Sequence, residues 1–465
     1  MLIRRVEVGG RAPLDLRIDG DEITAIEKRL DPRPREEILE AAGGALLPGL
    51  HDHHIPLFAL AAAARSVRCG PPAVTDRASL VAALLDHAVA DDEWLRGIAY
   101  HESVAGDLDR DLLDRLVSDR PLRIQHRSGA AWFLNSRAIE LLGLDGAVDA
   151  PGIERRPDGR ATGRLFRCDR LLRETVIGER MPVLGAASKR LATYGVTGVT
   201  DATATNAKQE LRAFTDAAAA GDLLQRVLVM GVRFVPSPDD VMVTLGPVKI
   251  LLDEYSLPAL DDLTREIDHA HADDRAVAIH AVTRTELVLA CGAFAAAGVR
   301  AGDRIEHAAV LTPEAAAWVA ELGLTVVTQP SFVRERGDSY LRDVDVADRA
   351  WLYRCRGALD AGIPLGAGTD APYGEPDPWL AMQAAVSRKT AAGTALGDAE
   401  RLTPEQALGL FTSSPHAPGG APRKIAIGSI ADLCLLDRPW SRAREELASE
   451  HVVATVRAGH LIWRR

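Results

Sequence analysis

The hydrophobic pattern of this chain has two regimes. Near both ends, apolar and polar residues alternate over short runs, the period of a half-buried strand. Residues 1–47 contain LIRRVEVGG and LDLRIDGDEITAIEKRL, with Asp19-Gly20 placed as a hairpin turn. Residues 431–437 (ADLCLLD) and 452–463 (VVATVRAGHLIW) repeat that pattern around a polar, helical-looking insert. Two strand-rich ends around a long middle predict one small composite β-sandwich, built from residues 1–47 with 425–465.

The middle, residues 48–424, alternates apolar strand-like runs with amphipathic helical stretches, the signature of a parallel α/β fold. Candidate strands lie at 46–54, 121–127, 196–202, 225–231, 246–253, 276–282, 304–310, 324–330 and 363–372. Ala-, Leu- and Arg-rich helices such as LTREIDHAHA and TELVLACGAFAAAG separate them. The stretch 132–188 crowds Gly, Pro and Arg at 151–164 and reads as an insertion or long loop over one end.

Bulk properties narrow the reading. A chain of 465 residues suits a large barrel plus an accessory module, and 47% hydrophobic residues can fill its core. The net charge of −11 disfavours a nucleic-acid surface, which needs clustered Lys and Arg. Five cysteines, odd in number and never spaced C-x-x-C, argue against a disulfide framework or a thiolate zinc site. MLIRRVEVGG lacks the apolar core of a signal peptide, and no apolar run reaches the roughly 20 residues of a membrane span. The expected home is the cytoplasm, with a small-molecule substrate and neither nucleic acid nor membrane as partner.

Five residues stand at or near the C-terminal ends of candidate strands, where (β/α)₈ barrels build their active sites: His54, Lys249, His280, His307 and Asp370. Lys249 precedes His280 by 31 residues and His280 precedes His307 by 27, one βα unit each; the 63 residues to Asp370 hold two. Lys249 is the most informative. The chain has six lysines among 55 basic residues, yet one interrupts the apolar run VKILL, where an isolated ammonium is costly to bury. A carbamate formed with CO₂ would remove that cost and supply an anionic ligand oxygen; the bland alternative is a lysine snorkelling from an edge or paired with an Asp. His280 and His307, on adjacent strands, have the chemistry of zinc ligands, although a lone strand histidine is more often a core residue. Asp370 in GAGTDAP can bind metal or carry a proton, and in isolation would read as a turn or cap residue. Glu306 alternates with His307 and is expected on the opposite face, packing or supporting a ligand from behind rather than binding metal itself.

With these residues in place, the chain resembles the amidohydrolase superfamily, specifically the amidohydrolase-3 group that includes N-substituted formamide deformylases. LPGLHDHHIPL is similar to the family's first strand, VKILLDE to its lysine strand, and AIHAV and RIEHA to its two histidine strands. TQPSFV and GAGTDAP resemble the last barrel elements, GSIADLCLLD the return to the terminal module, and HRSGAAWFLNSRAI and ATGRLF the group's inserted segment. The resemblance implies a distorted (β/α)₈ barrel with a composite β-sandwich, and one or two divalent metal ions, zinc expected. It assigns His54, Lys249, His280, His307 and Asp370 to the metal, with catalytic duties for His280, His307 and Asp370. The implied chemistry is hydrolysis of a non-peptide C–N bond (amide, N-formyl, N-acyl or cyclic amide) by metal-activated water.

One departure stands out. In the register set by Asp52 and His54, the second histidine of the family's H-x-H is Pro56, which has no ligand atom. Either His51 or His53 stands in, or a ligand is lost; the second is favoured, so that the site of Lys249, His280 and His307 is expected to fill before that of His54 and Asp370. Loss of a ligand keeps two other readings open, a lyase, decarboxylase or isomerase on the same barrel, and a degenerate barrel that binds without turnover. Arg127, Trp132, Arg164, Gln329, Arg334 and Tyr340 lie in segments expected to line the substrate pocket. Barrels of this kind often form homodimers, a state the sequence leaves open.

Overall fold

A computed structural model describes the chain except residues 72, 88–93, 147–149, 169–170, 173–180, 236 and 239, and the side chain of residue 12. It divides into two compact units, Met1–Leu57 with Leu184–Arg465, and Phe58–Val183.

The first unit contains eight parallel strands in sequence order: Leu50–Ile55, Val196–Asp201, Arg226–Gly231, Val243–Leu251, Val277–Ala281, Arg304–His307, Thr325–Thr328 and Leu365–Ala367. Each overlaps one of the candidate strands read from the sequence, the first running one residue past its candidate and the fourth starting three residues before. Most are short and apolar, as expected where both faces are covered, but Leu50–Ile55 and Arg304–His307 are mostly polar. Helices return between them with their own start signals. Thr283 caps the helix Arg284–Ala297 while Glu286 accepts the backbone N–H groups of Val282 and Thr283 at 2.7 and 2.9 Å. This capping box starts a helix four residues after His280 and fixes where that strand stops. Thr312 and Pro313 do the same for Pro313–Glu321, six residues after His307.

The first and eighth strands meet through a few bonds rather than a long ladder. Asp370 N–H donates to the His54 carbonyl at 2.8 Å, and the Thr369 hydroxyl donates to the Asp52 carboxylate at 2.5 Å. The seam of the nearly closed barrel therefore runs through two candidate site residues.

Both termini pair into one sheet, as predicted. Its strands run His460–Arg464, Val452–Arg457, Leu433–Leu436, Ala45–Pro48, Leu2–Val8, Arg11–Asp19 and Glu22–Glu27, with Ile38–Glu40 also paired to Leu2–Val8. The far edge meets the chain again at the Glu22–Ile430 bridge, so the sheet curls around Ile3, Val6, Leu16, Ile18, Ile23, Leu433, Leu435 and Val456.

The second unit has its own six-stranded sheet, in the order Ile153–Arg155, Ala161–Phe166, Ala131–Leu134, Leu122–His126, Leu95–Tyr100 and Val67–Arg68. The run 121–127, expected among the barrel strands, belongs here, antiparallel to Ala131–Leu134 and parallel to Leu95–Tyr100. Its apolar alternation was real, but alternation does not say which sheet a strand joins. Of the segment 132–188, residues 132–183 belong to this unit, and the remainder opens the helix Gly185–Thr193 of the first. Among the described residues no helix is long and apolar enough to cross a membrane.

Candidate active site

The parallel strands deliver their special side chains to one end. Ligand atoms of His54, His307 and Asp370 all lie within 4.8 Å of one another, and all three residues are buried. The rings of His54 and His307 are 4.7 Å apart, and His280 stands edge-on to His307 at 4.4 Å. His54 Nε2 lies 3.6 Å from Asp370 Oδ1. Two of these residues hold positive φ, His307 at 71° and Asp370 at 53°, and Ala308 follows at 45°. Non-glycine residues rarely adopt this region, and where they do the surrounding structure must impose it.

Hydrogen bonds set the state of each imidazole. His307 Nδ1 is 2.6 Å from Gln329 Oε1, which only accepts, so Nδ1 carries the proton and the Nε2 lone pair is free. Burial, with His280, His54 and Lys249 nearby, holds His307 well below the usual imidazole range and therefore neutral. His54 Nδ1 donates to Glu306 Oε2, and its Nε2 faces Asp370. Glu306 is fully buried and bound at 2.6 Å by Arg304 Nε. Burial opposes its charge, but Arg304, Lys249 and His54 outweigh burial and keep its carboxyl well below the ordinary range.

Lys249 Nζ is buried without a hydrogen-bond partner. Burial, reinforced by Arg304 and opposed by Glu306 and Asp370, pushes its ammonium down to about 8. The same burial raises Asp370, against the pull of His54, Arg336 and Lys249. An acid pushed up and an amine pushed down in one cleft is the pattern of a proton-handling or ligand-binding site.

The sequence profile of the amidohydrolase family matches residues 37–462. The chain belongs to the amidohydrolase family. It is 26% identical to the N-substituted formamide deformylase of Arthrobacter pascens, covering 100% of this chain and 97% of that enzyme. It is 24% identical to the putative amidohydrolase YtcJ of Bacillus subtilis (strain 168), over 93% and 91% of the two chains. In fold it is similar to an uncharacterized metal-dependent hydrolase from Pyrococcus horikoshii OT3, with a TM-score of 0.75 at 20% identity over 94% and 97% of the chains.

The donor set of this amidohydrolase suits a divalent cation. His54 and His307 present their Nε2 atoms, Asp370 a carboxylate oxygen, and Lys249 a buried amine with no other bond to make. Acceptors fixed by hydrogen bonds behind them hold both rings in place, the usual support for metal-binding histidines. His51 and His53 take no part. Their rings lie 4.6 Å apart at a 45° tilt, His51 bonded to Thr200 at 2.9 Å and His53 to Ser413 at 3.1 Å.

Glu306 takes the supporting role expected of it, behind His54, but its facing is corrected. Strict alternation would turn it away from the mouth, but the left-handed turn at His307 breaks the alternation, so both consecutive side chains reach the site.

The six expected lining residues divide. Gln329 is in the site, orienting His307, with its Nε2 buried and unpartnered. On the helix Ser331–Asp343, Phe332, Arg336 and Tyr340 share a face at four-residue spacing. Arg336 stacks on Phe332 at 3.9 Å and its charge is felt by Asp370, while Tyr340 stacks on the buried Tyr353 at 5.9 Å. Arg334, two residues before Arg336, turns to solvent. Arg336 was missed because nothing in a run of charged helix residues marks which one faces inward, and Tyr353 because it lies in a turn with no periodic pattern. Arg127, Trp132 and Arg164 belong to the second unit. Trp132 is core there, flanked by Arg96 and Arg123, and Arg164 bonds the Leu108 carbonyl and Glu154. Arg127 is half-buried, its backbone N–H on the Tyr100 carbonyl.

Proposed function

We propose that this amidohydrolase cleaves a non-peptide C–N bond of a small molecule, in an N-formyl, N-acyl or cyclic amide. One observation carries the reading: two imidazoles, a raised carboxylic acid and a partnerless buried amine meet at the C-terminal end of a parallel barrel. The full-length similarity to a formamide deformylase favours the same bond class.

His54, Lys249, His280, His307 and Asp370 would hold the cation, zinc being the expected metal for so nitrogen-rich a set. When bound, such an ion polarises a carbonyl oxygen and makes water a better nucleophile. The protein's own part is proton traffic and orientation. Asp370, raised by burial, accepts a proton from the attacking water and returns it to the leaving nitrogen. Glu306 and Gln329 keep His54 and His307 in the tautomer whose Nε2 faces the reaction. Lys249, brought down to about 8, is neutral often enough to react with CO₂. A new N–C bond with loss of one proton would convert it into a carbamate ligand.

The test is hydrolysis of N-substituted formamides in ¹⁸O-labelled water, with the metal content of the purified protein measured alongside. Solvent oxygen in the released acid is expected. Turnover without it would move the protein to the lyase or isomerase reading, and no turnover on any amide class would overturn the proposal.

A further inference from the structure

The opposite end of the barrel holds a second pocket, of about 430 Å³. It lies where the second, third and fourth barrel strands begin, at Thr197, Arg226 and Thr244, and the terminal sheet closes it through Pro48 and Leu433. Its volume is in the range of small-molecule sites.

Its charge is lopsided. Arg226, Arg423, Lys424 and His416 line it, against a single carboxylate among the described lining residues, Asp432. That carboxylate is already spent. Oδ2 accepts from Arg226 Nη1 at 2.5 Å and lies 3.8 Å from Arg423 Nη1, while Oδ1 accepts the Ala458 N–H at 2.7 Å. Two guanidinium groups and an ammonium thus face one anion, in a chain whose net charge is −11 and which uses lysine only six times. The arginine side chains are only 26–30% exposed, so bulk water does not fully screen them. Partly buried cations in excess are stabilised by an anion that brings the missing charge, and arginine forks suit oxyanions.

We propose that this pocket binds a small dianion with oxyanion chemistry, either phosphate or a dicarboxylate, at the end of the barrel away from His54 and Asp370. Nothing in the proposed hydrolysis requires it, so the two readings can fail separately.

Calorimetric titration of the full chain with inorganic phosphate, and separately with succinate, tests this against sodium chloride at matched ionic strength. One saturable site for either ion, absent with chloride, is expected, and the ion that binds tenfold tighter names the class. Lys424→Glu, an exposed change compatible with folding, should weaken binding at least tenfold, and Arg226→Gln should abolish it. Asp370→Asn should leave it within twofold. If Arg226→Gln does not fold, Lys424→Glu alone decides. No saturable binding by either ion overturns the proposal. So does binding that is lost in Asp370→Asn and unchanged in Lys424→Glu, which would place the ion at the catalytic mouth.

Discussion

Two buried polar groups in this molecule are treated in opposite ways. Asn135, in the second unit, is fully buried and makes four bonds. Its Oδ1 accepts from Leu122 and Ala138 at 3.0 Å each, and its Nδ2 donates to Val117 and Arg120 at 2.9 and 2.8 Å. Lys249, at the barrel mouth, is nearly as buried and makes none. Gln329 is intermediate, with its oxygen used and its nitrogen idle. Structural polar groups in protein interiors are satisfied, because each unmade bond costs about 1–3 kcal/mol. Unmade bonds at one end of the barrel, where His307 and Asp370 also hold unusual backbone angles, mark groups kept ready for something that is not protein.

Substitutions break this comparison in order of effect. Lys249→Met should lower kcat/KM by about a thousandfold or more, while the melting temperature stays level or rises because an unpaired buried cation is removed. A large loss of stability would instead make Lys249 a structural residue. Asn135→Ala should do the reverse, costing about 3 kcal/mol in urea unfolding by removing a helix cap and orphaning four backbone groups. Glu306→Gln should reduce metal affinity about 10- to 100-fold, read by competition with a chelator, since it keeps the shape but weakens the hold on His54.

The smallest effect concerns the terminal sheet. Arg17 binds Glu36 at 2.7 Å and, against a small burial penalty, holds its carboxyl down from the ordinary 4.5 to about 2. A depressed folded-state value means that this stabilisation is complete above about pH 4.5 and fades as pH falls toward 2. Glu36→Gln should therefore lower the melting temperature at pH 7 and narrow its gap to the parent between pH 4.5 and 2. A gap that does not change with pH would remove the ion pair from the account.

How much of this could be read beforehand follows the range of each interaction. The eight barrel strands showed themselves as short apolar runs, and Lys249 as a cation where none belongs. The five mouth residues followed from spacing, since a parallel barrel presents every strand end to one rim. The failures are equally specific. The run 121–127 has the pattern of a barrel strand, but pairing partners are chosen in three dimensions. Glu306 was turned the wrong way because one left-handed residue overrides a period of two. Trp132 looked like a pocket aromatic and is core to another sheet.

The sequence by itself determined what recurs locally: the periodicities, the caps at Thr283 and Thr312, the single misplaced lysine, and a proline at position 56. These depend on residues within a turn or strand of each other, and sterics and hydrophobicity decide them there. Only the tertiary structure decided which imidazole nitrogen is free, that Arg304 and Glu306 back His54, and that basic side chains gather around one carboxylate beneath the barrel. Those properties arise between residues up to 252 positions apart, as in His54 and Glu306, and charge and hydrogen-bond states are set by whichever groups folding brings within a few ångströms.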